Sequence, residues 1–116
     1  MSECLYPDCA PHRRAERHAL AAQTEMPFRA FSRQVFAAGA LPAGTKPLTA
    51  VAVAHLTQCP SCIRGHTKAA LRHGASREQI MEAIWVAAQM RAGATYAHSL
   101  LACVSLEEPR DPDGGA

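Results

Sequence analysis

The sequence predicts an all-α chain of about six helices, and three observations carry that prediction. Apolar residues recur at i, i+3, i+4 and i+7 in successive stretches, the period of one helix face. No stretch alternates with the period of two that a half-buried strand shows, and there is no internal repeat or glycine-rich phosphate loop. Alanine supplies 24 of the 116 residues and aromatic side chains only 5%, a composition suited to helices packed closely on helices. One helical domain is expected over residues 1–106, with an irregular arm at 1–11 and a disordered tail at 107–116.

The arm contains Cys4, Pro7, Cys9 and Pro11. Cys4, Cys9 and His12 could gather a metal, but their spacing matches no strong ligand motif. A first helix is expected over 12–23, with Ala15, Ala19 and Ala22 on one stripe and Arg13, Arg14 and Arg17 elsewhere. Pro27 is expected to open the second helix, since proline suits the first helical position. Phe28, Phe31, Val35 and Phe36 then recur at helical spacing and read as a core stripe, with a substrate-pocket lining as the alternative. The segment 39–44, with Pro42 inside it, is a turn. The third helix covers about 45–57 and points Leu48, Val51, Ala52 and His55 inward. His55, close to the two thiols that follow, is a candidate catalytic residue, with a satisfied core histidine as the alternative.

A fourth helix begins at Pro60 and runs to Gly74, a residue suited to the left-handed position after a helix end. His73, in its last turn, is expected to compensate the helix dipole at the surface. Ser76-Arg77-Glu78-Gln79 matches a capping box and opens the fifth helix. Its core face is Ile80, Ala83, Ile84 and Ala87, with Trp85 beside it. Gly93 is expected to kink or break the chain before a sixth helix over 94–106. There Tyr96, Leu100, Cys103 and Val104 share one side, and Cys103 reads as an ordinary buried thiol. His98 falls off that side and is assigned to a subunit contact, with an approach to the central thiols as the alternative. The tail from Glu107, EEPRDPDGGA, has no apolar periodicity and a composition typical of disorder.

Composition narrows the function classes. The formal net charge is +2, with charges of both signs scattered, so no nucleic-acid footprint is present. The apolar run 48–56 is too short to span a bilayer and is interrupted by Thr49 and His55. No signal-peptide pattern opens the sequence, and five cysteines are an odd number. A reducing cytoplasm with working thiols is therefore expected. So large an apolar fraction, with so few bulky side chains, is expected to be completed by other subunits.

The chemistry concentrates in Gln58-Cys59-Pro60-Ser61-Cys62-Ile63-Arg64-Gly65-His66. Spacings of three and four place Cys59, Cys62 and His66 on one helix face. With Pro60 at the first helical position, Cys59 is the N-cap and Cys62 lies in the first turn. Unpaired N–H groups and the positive end of the helix dipole there favour thiolate over thiol. His66, one turn after Cys62, can take its proton or pair with the thiolate. The stretch reads as a redox dithiol with a built-in base. Three alternatives stand beside it: a zinc-type cluster of Cys59, Cys62 and His66, completed by His55; two inert buried thiols; or a structural disulfide. The dithiol is preferred because the second half of a four-ligand zinc motif is missing nearby, and nothing marks the chain as secreted.

Residues 51–102, VAVAHLTQCPSCIRGHTKAALRHGASREQIMEAIWVAAQMRAGATYAHSLLA, resemble the alkylhydroperoxidase D-like branch of the carboxymuconolactone decarboxylase family. The resemblance covers roughly residues 27–105, and the CxxC-xxx-H, the GAS turn and the AGATYAHS segment fall in the family's order. It implies an all-helical fold, a homotrimer or homohexamer, no cofactor, and a thiol-dependent peroxidase or dithiol–disulfide oxidoreductase. The implied catalytic residues are Cys59, Cys62 and His66. In that scheme Cys62, paired with His66, attacks a hydroperoxide, Cys59 resolves the product, and a dithiol or protein disulfide reductant restores the pair.

The resemblance has one departure. The family carries a glutamate twelve residues before the first cysteine, feeding a proton relay, where this chain has Pro47. No Asp or Glu lies between Glu25 and Glu78. Glu25, Glu82 or a neighbouring subunit could substitute, or His55, two turns after Pro47 on the same face, could shorten the relay. Efficient peroxide turnover is thereby put in question, while the fold is not. Two other functions compete: a non-enzymatic or zinc-binding oligomer, and the decarboxylase that names the family, which needs no CxxC.

Overall fold

The computed structural model describes residues 11–110. The expectations for Cys4 and Cys9, and for the tail beyond Arg110, lie outside those residues. Five helices follow in order: α1 (Pro11–Leu20), α2 (Ala22–Phe36), α3 (Thr45–Thr57), α4 (Pro60–Arg72) and α5 (Arg77–Glu107). No strand occurs among the described residues. The all-α expectation therefore holds, with one helix fewer than the sixfold reading.

The centre is formed where α3 and α4, two arms of a hairpin, meet the first half of α5. Val51 of α3, Ala70 of α4 and Ile80 of α5 are its buried core, with Leu48, Ala75 and Ile84 packed around them. Ala54 and Ala87 are also buried. Alanine at these positions lets helix axes approach closely, and among the described residues Val51 is the one large side chain fully enclosed. Burying such a side chain contributes about 1.5–3 kcal/mol.

The end of α4 and the start of α5 are set by residues that the sequence singles out. After α4, Gly74 takes φ +89°. The Gly74 N–H donates to Leu71 O and the Ala75 N–H to Ala70 O, the paired bonds of a Schellman turn. His73 is exposed, and its Nδ1 donates to Ala69 O at 2.9 Å. Ser76 and Gln79 exchange the two hydrogen bonds of a full capping box, 3.0 and 2.8 Å.

Four expectations are corrected. Pro27 does not open a helix: α2 begins at Ala22 and Pro27 lies inside it. The break falls instead at Ala21, whose φ of −148° leaves the helical region and whose carbonyl accepts the Thr24 and Glu25 N–H groups. Pro27 then forfeits only one bond, the one its own N–H would have donated to Gln23 O, close to the helix start. Gly93 does not break the chain, and α5 is continuous over 31 residues. A single helical glycine costs only about 1 kcal/mol relative to alanine, and the missing side chain leaves room for Gln89, whose amide lies 3.3 Å from where a Cβ would stand.

The phenylalanine stripe is not core. Phe28 and Phe31 are each 63% exposed, and neither α1 nor α2 contains a buried residue, because α2 reaches the centre only at its end. Cys103 is exposed rather than buried, as is every residue from Ala94 to Glu107. This second half of α5 continues past the helices that cover its first half.

Candidate active site

The site begins at the corner between α3 and α4. Gln58 ends α3 in the left-handed conformation, φ 55° and ψ 44°, a region that side chains other than glycine and asparagine seldom occupy. The Cys59 N–H then donates back to Ala54 O at 3.2 Å, so Cys59 closes α3. The same residue is the N-cap of α4, extended at φ −99° and ψ 101°, with Pro60 following at the first position. Its carbonyl accepts the Ile63 N–H at 2.9 Å. The first cysteine therefore terminates one helix and starts the next, and Cys62 sits one turn into α4.

Cys59 and Cys62 are joined as a disulfide, with their Cα atoms 5.2 Å apart. Cys59 Sγ also lies 3.5 Å from Ser61 Oγ. Both cysteines are half-buried, reachable from solvent yet supported by the corner beneath them. Two side-chain bonds brace the α3 end. Thr57 Oγ1 donates to Ala54 O at 3.3 Å, and the Arg91 guanidinium of α5 donates to Leu56 O. Arg91 thus ties the dithiol corner to the middle of the long helix.

His66 lies one turn beyond Cys62 on α4 and is half-buried. Its ring stacks on Phe36, the last residue of α2, with centroids 5.1 Å apart and planes 19° from parallel. His55, on α3, is turned back on its own helix, where Nδ1 meets Val51 O at 2.7 Å. A carbonyl only accepts, so Nδ1 donates this hydrogen bond. This contact gives His55 a structural engagement with α3. Pro47 is buried in the first turn of α3. Among the described residues no group of three or more His, Cys, Asp or Glu side chains is placed to hold a metal ion.

The acidic substitutes lie elsewhere. Glu25, on α2, is paired with Arg29 at 2.5 Å and lies 3.3 Å from His18 Nδ1. The hydrogen bond from Arg29 holds its carboxyl below the ordinary value of 4.5; partial burial opposes this, and the charges of Arg29 and His18 assist it. A carboxylate so held is a poor proton donor. Glu82 is exposed on α5. A shallow cleft of about 410 Å³ beside the α3 end is lined by Leu56, Met90, Arg91, Ala94, Thr95 and His98, which places His98 near the corner that Arg91 holds.

The structure brings Cys59 and Cys62 together and places His66 one turn further along α4. Nothing local in the sequence signals the parts of Gln58, Arg91, Phe36 or Lys46, whose ammonium donates to the carbonyls on either side of Phe36. A glutamine carries no local signal for a left-handed turn. The other three act across sequence separations that periodicity does not read.

Comparison with known proteins adds a common frame. The family model described as the carboxymuconolactone decarboxylase family matches residues 26–104. A protein of Paracoccus denitrificans described as uncharacterized protein 4 in cox locus is 65% identical over 81 residues, 70% of this chain and 73% of that one. An uncharacterized protein of Cupriavidus necator is 46% identical over 66 residues, 55% of this chain and 58% of its own length. Among solved structures, an apo carboxymuconolactone decarboxylase family protein from Legionella pneumophila superposes with a TM-score of 0.64 at 29% identity, covering 68% of this chain and 70% of that one. A Thermotoga maritima protein shares the fold, with a TM-score of 0.57 at 23% identity over 85% of this chain and 99% of that one.

Proposed function

The chain belongs to the carboxymuconolactone decarboxylase family, and on that premise we propose that it is a thiol peroxidase of the alkylhydroperoxidase-like kind. The observation that carries this reading is the disulfide between Cys59 and Cys62 at the N-terminus of α4. A pair held this close at a helix start can cycle between dithiol and disulfide.

In the reduced state the first-turn N–H groups and the helix dipole favour thiolates at both positions. The Cys62 thiolate attacks the terminal oxygen of the hydroperoxide. An S–O bond forms as the O–O bond breaks, two electrons pass from sulfur to oxygen, and the alkoxide leaves as the alcohol after taking a proton. Cys62 is then a sulfenic acid. The Cys59 thiolate attacks the Cys62 sulfur, the hydroxyl departs with a proton as water, and the disulfide is formed. An external dithiol reduces it by two successive exchanges. His66 acts as the base that accepts the thiol proton and returns it to the leaving oxygen.

The working form is a homo-oligomer, a trimer or hexamer. This is supported by the exposure of Phe28, Phe31, Trp85, Tyr96 and Leu100, at 63–82%, since so much large apolar surface marks an interaction face. No helix of the described residues is long and apolar enough to cross a membrane. The cytoplasm, whose thiol pool would supply the reductant, is the compartment this chemistry suits.

The test is consumption of tert-butyl hydroperoxide with dithiothreitol as reductant, together with disulfide mapping by mass spectrometry. The expected result is peroxide-dependent closure of Cys59–Cys62 and steady turnover. A pair that stays reduced under peroxide while Cys103 oxidises would overturn the reading. Disulfide exchange without peroxide turnover would leave a thiol–disulfide oxidoreductase on the same scaffold.

A further inference from the structure

From the contact between α2 and α4 we infer that Phe36 and Lys46 are positioning residues that set the plane of the His66 ring. This rests on the dithiol reading above and names the groups that orient its base. A histidine one turn from a cysteine can transfer a proton only when a ring nitrogen points along the right direction, and both nitrogens lie in the ring plane. The plane therefore decides the matter. Phe36 covers one face of the imidazole at 5.1 Å with planes 19° apart, an offset stack that resists rotation of either ring.

Phe36 could not do this unaided, because it is the last residue of α2, and helix ends fray when their carbonyls lack partners. Lys46, from the first turn of α3, supplies them. Its ammonium donates to Val35 O at 2.7 Å and to Ala37 O at 2.5 Å, the carbonyls on either side of Phe36. The connecting loop folds over the same group: a Cβ at Gly39 would stand 3.9 Å from Lys46 Nζ. A cation at a helix C-terminus is favoured by the dipole as well as by the two bonds. The end of α2 is thus pinned by α3, and the ring it carries holds the histidine of α4. Nothing else among the phenylalanines does this, as Phe28 and Phe31 face outward.

The experiment uses the full chain, reduced, in four forms: native, Phe36→Leu, Phe36→Tyr and Lys46→Met. Two quantities are read. One is the rate of iodoacetamide modification mapped to Cys62. The other is the chemical shift of the His66 ring protons, which a stacked benzene ring displaces. Phe36→Leu and Lys46→Met should each slow alkylation about three- to tenfold, the worth of one aromatic stack. Each should also move the His66 resonances toward those of a histidine without an aromatic neighbour. Phe36→Tyr should preserve both, because the ring is kept. Unchanged resonances and rate in Phe36→Leu would overturn the inference, and unchanged values in Lys46→Met would overturn the latch. If Lys46→Met loses its helical circular dichroism, the leucine–tyrosine pair still decides the stack. Peroxide turnover is measured on the same samples. Its absence in the native chain, with the His66 and alkylation effects intact, would sink the peroxidase reading alone.

Discussion

From Arg77 to Ala87, α5 lies against α3 and α4, with Ile80 and Ala87 only 7% and 3% exposed. From Ala94 to Glu107 the same unbroken helix has no covered residue, and Tyr96 and Leu100 stand 82% and 71% exposed. The two halves have similar chemistry, rich in alanine and large apolar side chains. What separates them is whether another helix of the chain reaches them. An apolar helix with little one-sidedness is built to be buried all round, and this chain covers one face of its first half and none of its second. The difference separates two parts of one helix: the packed half supports the dithiol corner, and the open half is the surface proposed above for assembly.

The sharpest test of that division is to remove a thiol from each region. Cys62→Ser should reduce peroxide turnover by about three orders of magnitude or more, because the nucleophile is lost. Cys103→Ser, on the open half, should leave the rate within about twofold. Comparable losses in steady-state assays of the two variants would erase the distinction.

Next in size is the position where the resemblance places a relay acid. Pro47 is buried in the first turn of α3, where a carboxylate is favoured by the dipole. Pro47→Glu should raise peroxide turnover by up to about a hundredfold, the reach of a general acid, while alkylation of Cys62 stays near its native rate. If both rates move together, the substitution alters the thiolate and not proton delivery.

Stability gives the third comparison. Val51→Ala should cost about 2 kcal/mol in urea unfolding, the loss expected from a well-packed core. Leu100→Ala in an isolated chain should cost less than about 0.5 kcal/mol. If the open half is an interface, Leu100→Ala should instead lower the unfolding midpoint in a protein-concentration-dependent way. Sedimentation at micromolar concentration decides between these, and a monomer would rule out the oligomer. A smaller effect, about 1 kcal/mol, is expected for Ser76→Ala, which removes the cap that starts the packed half.

The smallest effect concerns α1 and α2. Glu25 has its pKa lowered by the hydrogen bond from Arg29. Stabilisation from a depressed carboxyl is present above the unfolded value of 4.5 and is lost as pH falls through the folded one. An acid titration followed by hydrogen exchange should therefore loosen α1 and the start of α2 before it disturbs the α3–α4 centre. Simultaneous loss of both would show that α1 and α2 are cooperative with the core.

How far the sequence could be read depended on the range over which each feature acts. The capping box at Ser76, the left-handed Gly74, the N-cap role of Cys59 and the inward Val51 are local, and each follows from a few neighbouring residues. So does the closeness of Cys59 and Cys62, which their three-residue spacing at the start of α4 provides. The phenylalanine stripe has the same periodicity as a core stripe, yet only Phe36 is covered. Periodicity reveals that a helix has an apolar face, and it does not reveal whether another helix arrives to cover it. Gly93 and Pro27 mislead for a related reason: each carries a penalty of limited size, and a long helix absorbs it where packing or side-chain room favours continuity. Lys46 reaching the carbonyls around Phe36, Phe36 reaching His66, and Arg91 reaching Leu56 join residues 11, 30 and 35 positions apart in the chain. Local propensity thus determined the all-α class, the caps at Cys59, Gly74 and Ser76, and the closeness of the thiol pair. Which side chains hold that pair in place was decided only when α2 and α5 were brought against the corner, since the free energy of those contacts exists only in the folded arrangement.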